Sequence, residues 1–169
     1  DVVTSTHNHS DHLDAHTLRP LMEANPQLRL VIPEANRDFV AERLDCRRDY
    51  PIGLDAGESG EVGSFRLHGV AAAHNEVDRD RQGRCKYLGY VAVFESEGRR
   101  FTIYHSGATL WHESLTDELA PLDIDIALLP INGKRPERRV AGNLFGDEAA
   151  RLAKALGAGL VIPCHFDMF

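Results

Sequence analysis

The sequence predicts an α/β domain: a largely parallel sheet with helices packed on it, followed by a run of alternating strands. Three observations carry this. Short apolar runs at 1–6 and 28–32 alternate with two stretches of helical periodicity, a β-α-β-α rhythm. From about Pro51 the pattern changes to alternating strands separated by turn residues. Two of those strands flank Ser96-Glu-Gly98, which reads as a hairpin turn.

The elements follow in order. The β-branched run DVVTST at 1–6 reads as a buried strand that delivers a polar loop. Asp14 is placed to cap a helix over 15–25, with Leu18, Leu21 and Met22 on one apolar face and Asn25-Pro26 as its stop. Residues 28–32 form a short strand, expected parallel to the first. Pro33 stands near the next helix start, and Phe39, Val40 and Leu44 give that helix its buried side. Turn chemistry fills 55–60, and strands are expected at 65–72, 87–94 and 100–104. A short helix at 113–119 leads to a buried strand at 125–129. A helix over 146–156, with Ala150, Ala153 and Ala155 permitting close packing, ends at Gly157 and Gly159. Residues 160–162 make the last core strand.

At 169 residues the chain is sized for one domain, 1–169, and 43% hydrophobic content suffices for a core. No apolar run approaches the ~20 residues of a membrane span. The chain opens with Asp1 inside an expected core strand, so it reads as the later part of a longer protein. If nothing precedes it, a sheet face or edge would be uncovered and would need a partner, for which a second copy in a homo-oligomer is one candidate. The net charge of −7 disfavours a nucleic-acid groove. Cys46, Cys85 and Cys164 show no CxxC spacing, which fits a reducing cytoplasm. Cys164 neighbours His165, and a small buried residue at a strand end explains it best.

The chemistry concentrates in His7-Asn8-His9-Ser10-Asp11-His12, three imidazoles and a carboxylate within six residues. These are ligand types that suit zinc, manganese or iron. In extended chain, residues two apart point the same way, so His7 and His9 can close on one cation. Asp11 and His12 lie one turn further on and can reach a second.

This HxHxDH stretch resembles the signature of the metallo-β-lactamase superfamily, and later segments fit in order. Ala72-Ala73-His74 looks like the strand end with a third histidine. Tyr104-His105-Ser106-Gly107-Ala108-Thr109 resembles the H-[ST]-G-D-[ST] loop, and Val161-Ile162-Pro163-Cys164-His165-Phe166-Asp167 the loop with the last histidine. With the Pro130-Ile131-Asn132-Gly133 loop, these are most similar to the L-ascorbate-6-phosphate lactonase-like branch. The resemblance implies an αββα sandwich, here without its N-terminal strands. It implies two divalent ions, zinc or manganese with iron as a third option. His7, His9 and His74 would hold the first, and Asp11, His12 and His165 the second. Three ligands per ion leave positions open for water and substrate. Paired ions would lower the pKa of a shared water to about 7 and polarise a carbonyl or phosphoryl centre.

One position departs from the pattern. Where the family carries a bridging aspartate, this chain has Ala108, which offers no ligand atom. Three readings stay open: a substitution made in an active parent, a natural one-metal site, or a degenerate member without turnover. The intact His105, Gly107 and Thr109 favour the first, with this chain an impaired catalyst. His105 reads either as a group that hydrogen-bonds a ligand or substrate, alongside Asp11 in catalysis, or as a strand-end residue satisfied by backbone. Asp167 either orients a metal-binding imidazole or caps a turn. His16, His68 and His112 lack ligand-type neighbours and read as surface or helix-end residues.

Two cationic loops follow proposed ligands: 75–86 with Arg79, Arg81, Arg84 and Lys86, and 134–139 with Lys134, Arg135, Arg138 and Arg139. Loops at strand ends bind ligands in such folds, and arginine captures phosphate or carboxylate bidentately. Arg79, Arg81, Lys134 and Arg135 are therefore candidates for binding an anionic small molecule. The alternative is a solvated face of mixed charge, because Asp78, Asp80 and Glu137 are interleaved. Trp111 and Tyr87 could line an apolar wall or belong to the core. The functional expectation is a metal-dependent hydrolase acting on a lactone or related ester. A phosphodiesterase of the same fold and a non-catalytic metal- or ligand-binding domain are the alternatives.

Overall fold

The computed structural model describes residues 1–134 and 142–166. Three strands, β1 (Val2–Thr4), β2 (Arg29–Pro33) and β3 (Ile52–Leu54), form a parallel sheet in that order. Val3 lies opposite Leu30, and Val31 opposite Ile52. Parallel strands need crossovers, and α1 (Ala15–Ala24) and α2 (Arg37–Leu44) supply them. Asp14 caps α1 through its carboxylate, which accepts the His16 and Thr17 amides at 3.2 and 3.1 Å. A 3₁₀ turn at Glu34–Asn36 leads into α2, which stops at Asp45 in the left-handed region.

The second sheet contains β4 (Ser59–Val62), β5 (Phe65–Ala71), β6 (Leu88–Ser96), β7 (Arg99–His105), β8 (Ile126–Pro130) and β9 (Leu160–Cys164), in chain order. Strands β4 to β7 are antiparallel, and β7, β8 and β9 are parallel. The β6–β7 hairpin turns through Glu97 and Gly98, both at positive φ (53° and 72°), as a two-residue turn matched to strand twist requires. Helices α3 (Leu115–Leu119) and α4 (Gly146–Ala155) bridge the parallel pairs.

The period-two alternation of strand side chains sorts the core into three layers. Leu30 and Ile32 face α1 and α2, where they meet Leu13, Leu18, Val40 and Leu44. Val31, between them in sequence, points the other way and joins Leu54, Val62, Leu67, Leu88 and Tyr90 between the sheets. Val70, Val91, Tyr104 and Ala127 face the second helical layer with Leu115, Leu119 and Leu152. The order is helix, sheet, sheet, helix, the αββα arrangement expected.

Several local expectations are corrected. Strand β4 begins inside the stretch 55–60 that reads as turn, and β3 is not anticipated, because SGEV and IGL are too short and glycine-bearing to show a period. Phe39 is 38% exposed, with the Arg43 guanidinium over its ring at 4.7 Å, so α2 buries Val40 and Leu44 only. On α4 the close-packed alanines are Ala149 and Ala153, while Ala150 and Ala155 face outward. Residues 160–162 are not core: among the described residues β9 pairs with β8 alone, which leaves Leu160 at 52% and Ile162 at 42% exposure. An apolar run looks alike in a central and an edge strand, since the difference lies in the neighbours. Among the described residues, no helix is long and apolar enough to cross a membrane.

Candidate metal centre

The loop after β1 is fixed by bonds from both sheets. Ser5 donates its amide to Val31 O of β2 at 2.9 Å. From the other sheet, the Leu88 amide donates to Thr6 O at 2.9 Å and the Tyr90 hydroxyl to Ser5 O at 3.2 Å. Ser5, Thr6 and His7 are each 2% exposed. The chain then turns, with the His12 and Leu13 amides donating to His9 O at 3.0 and 2.8 Å. Arg43 of α2 donates to Asn8 O at 3.1 Å and to Leu13 O at 3.4 Å, holding the turn from outside.

This backbone brings the HxHxDH side chains together. His7 Nε2 and His9 Nδ1 lie 3.0 Å apart, and the rings of His7 and His9 stand 5.5 and 4.9 Å from His74. On the other side, Asp11, His12 and His165 present ligand-type atoms all within 4.8 Å of one another. His12 Nε2 is 3.3 Å from Asp11 Oδ2, and the His12 and His165 rings are 5.2 Å apart. His7 and His12 are adjacent, at 4.1 Å between centroids, so the two clusters are continuous. His165 takes positive φ (58°), which turns its side chain off the end of β9.

Burial sets the charge state of these rings. His7 is pushed down to about 2, first by desolvation and then by repulsion from His12, His9, His74 and His165. Desolvation lowers His12 to about 4, with Asp11 opposing, and His74 to about 4. His105 and His165 are also lowered, chiefly by burial. Five crowded imidazoles are thus held neutral at pH 7, the form that donates a lone pair to a cation. The donor set is nitrogen and carboxylate oxygen, which fits zinc, manganese or iron.

A cleft of about 360 Å³ opens beside the second cluster, lined by Thr4, Thr6, Asp11, His12, His105, Cys164 and His165. His105, at the end of β7, therefore faces the same space as Asp11 and His12. Cys164 also reaches the cleft wall, half-buried rather than buried, and desolvation raises its thiol pKa. Ala108 is 3% exposed between two anchors. A Cβ on Gly107 would come within 2.8 Å of Thr6 Cβ, so Gly107 packs directly on the first ligand loop. Thr109 Oγ1 accepts the Ala73 amide at 3.0 Å, tying the same loop to the strand end of His74.

The cationic loops divide differently from the expectation. Arg79 donates to Gly83 O at 2.8 Å, closing its own loop, and neither Arg79 nor Arg81 lines the described clefts. Arg84 pairs with Asp80 at 2.7 Å and Lys86 with Asp78 at 3.1 Å. The recess of about 110 Å³ beside His74 is walled by Asn75, Glu76, Asp78 and Tyr87, a polar and acidic lining. Lys134 is exposed; Arg135, Arg138, Arg139 and Asp167 lie outside the described residues. His16 is exposed, and His112 sits within 3.0 Å of Ala71 O, away from the cluster.

Of the two readings open for Tyr87, the structure selects the wall: it stacks on His74 (5.1 Å, 18°) and stands 4.9 Å from His7, beside the first cluster. Two further site residues are not singled out in the sequence. Thr6 touches both His7 and His12; its place directly before His7 was the only sequence signal. Asn143 brings its amide nitrogen 3.4 Å from His165 Nδ1, and no local pattern announces it. Its neighbour Gly142 has positive φ (58°), and a Cβ there would collide with the His74 carbonyl.

Two facing sheets, helices outside and a histidine ledge at the strand ends define an αββα sandwich of the metallo-β-lactamase type. The chain belongs to the beta-lactamase superfamily domain family, whose model matches residues 1–166. It is 29% identical to a UPF0173 metal-dependent hydrolase of Rubrobacter xylanophilus over 179 residues, covering 100% of this chain and 65% of that protein. A relative of the same name from Hyperthermus butylicus is 28% identical over 175 residues, with 100% and 66% coverage. The chain thus spans about two thirds of the length of these relatives. Among solved structures, the metallo hydrolase Igni18 of Ignicoccus hospitalis superposes with a TM-score of 0.71 at 20% identity, covering 100% of this chain and 65% of that one. An isothiocyanate hydrolase from Delia radicum gut bacteria gives 0.68 at 20% identity, with 98% and 62% coverage. These superpositions establish a shared fold.

Proposed function

We propose that this chain carries the metal centre of a metal-dependent hydrolase, with His7, His9 and His74 as one ligand set and Asp11, His12 and His165 as the other. The observation that carries the reading is the continuity of two three-donor clusters across the 4.1 Å His7–His12 contact. Its similarity to proteins named metal-dependent hydrolases supports it. Divalent cations bound there would supply Lewis acidity, lowering the pKa of water and polarising a carbonyl or phosphoryl oxygen. The protein's own residues do the rest. Buried His7 and half-buried His74 fix the donor positions, Asp11 offsets positive charge, and His105 faces the cleft. Tyr87 shields the His74 side from water.

The substrate class we propose is a lactone or related ester of small size, in keeping with the 360 Å³ cleft. Recognition of an anionic group rests on Lys134 and Arg135 rather than on Arg79, whose guanidinium is committed to its own loop. The ligands alone serve phosphodiesters equally. The test is parallel assay of the zinc-loaded Ala108→Asp protein on a γ-lactone and on a chromogenic phosphodiester. Faster lactone opening supports this reading; phosphodiester cleavage alone replaces it with the phosphodiesterase.

Ala108 favours one further reading, a non-catalytic ligand-binding domain, because no side chain there can bridge two cations. Under that reading the Ala108→Asp protein binds metal and still turns over neither substrate.

A further inference from the structure

The Thr6 hydroxyl stands between the two clusters. Its Oγ1 lies 3.1 Å from His7 Nδ1 and 3.0 Å from His12 Nδ1, and the residue is 2% exposed. A hydroxyl oxygen has one proton to give and two lone pairs to receive. A neutral imidazole has one N–H, and the nitrogen without it is the one that can bind a cation.

Only two arrangements satisfy these contacts. In the first, Thr6 donates to one ring, and that ring must carry its proton on Nε2, where it blocks cation binding. In the second, both rings donate Nδ1–H to Oγ1, and both Nε2 atoms are bare. The second arrangement sets His7 Nε2 against His9 Nδ1 at 3.0 Å and His12 Nε2 against Asp11 Oδ2 at 3.3 Å. The latter is two acceptors face to face, a contact that a cation between them relieves.

We infer that Thr6 is a positioning residue that fixes the tautomer of His7 and His12 together, aiming one Nε2 at each half of the centre. The inference rests on the ligand sets proposed above. One buried oxygen, accepting from both rings through its two lone pairs, then couples both half-sites. Gly107 belongs to the same device: a side chain there would strike Thr6 at 2.8–2.9 Å and displace the oxygen from both rings.

The test compares zinc binding by the unaltered chain, Thr6→Val and Thr6→Ser, using a chromophoric chelator as competitor and circular dichroism to confirm folding. Valine keeps the shape and removes the acceptor; serine keeps the acceptor. Loss of an outer hydrogen bond to a ligand histidine weakens metal binding about 10- to 100-fold. Thr6→Val is expected to lose that much for every zinc the unaltered chain binds, with Thr6→Ser within a few-fold of it. Equal affinity in Thr6→Val overturns the inference and leaves the proposed centre standing. Absence of zinc binding by the unaltered chain overturns the proposed centre and this inference with it. Should Thr6→Val not fold, ¹⁵N spectroscopy of the zinc-loaded unaltered chain decides. Nδ1–H on both His7 and His12 is expected, and Nε2–H on either overturns the inference.

Discussion

Thr109 Oγ1 accepts the amide proton of Ala73 at 3.0 Å and donates its own to Leu110 O at 2.9 Å. Through this one hydroxyl, the loop that holds Ala108 fixes the strand end that presents His74. Thr109 is wholly buried and Ala73 nearly so, so no water can replace the bond. A buried donor left unpaired costs about 1–3 kcal/mol. Thr109→Val is therefore expected to lower folding stability by that amount in urea titration, and Thr109→Ser to restore most of it. A valine variant as stable as the parent would show that the bond has no structural role.

Gly142 makes a sharper prediction. It needs the left-handed region at φ 58°, and a Cβ would overlap the His74 carbonyl. Gly142→Ala must move either its own segment or the His74 strand end. A loss on the order of 3 kcal/mol is expected from strain and overlap together. The zinc affinity of whatever remains folded should fall as His74 shifts. Unchanged stability would mean that the Gly142–His74 approach is not maintained in solution.

The neutral histidine cluster also dictates a pH dependence for the metal-free protein. His7 is held at about 2, and His12 and His74 at about 4, against about 6.5 in an unfolded chain. Between pH 6.5 and 4 the unfolded chain takes up protons that the fold refuses. Stability from these rings is therefore fully present above pH 6.5 and lost as pH falls toward 4. The urea midpoint of metal-free protein should drop from pH 7 to pH 4.5. A midpoint that stays flat or rises over this interval would contradict neutral, crowded imidazoles.

Much of this architecture is legible in the chain because its signals are local. Asp14 caps α1 through contacts two and three residues away, and Glu97-Gly98 turns a hairpin by its own backbone preference. The HxHxDH spacing likewise places four ligand-type groups within one loop. What was not legible depends on distant partners. The run 160–162 reads as core until its one neighbour among the described residues is known. Arg79 reads as a free cation until its bond to Gly83 is seen. Thr6 gains its meaning from a ring six residues on, and Asn143 from one twenty-two residues on.

The central claim, two adjacent ligand sets for divalent cations weakened at Ala108, is tested most directly by zinc stoichiometry. Elemental analysis of the unaltered chain and of Ala108→Asp, purified alongside and desalted identically, supplies it. Two equivalents in Ala108→Asp and fewer in the unaltered chain are expected, since the proposed centre has a carboxylate at that position serving both sets. Equal and negligible zinc in both proteins would contradict the claim and leave the histidine ledge without a metal.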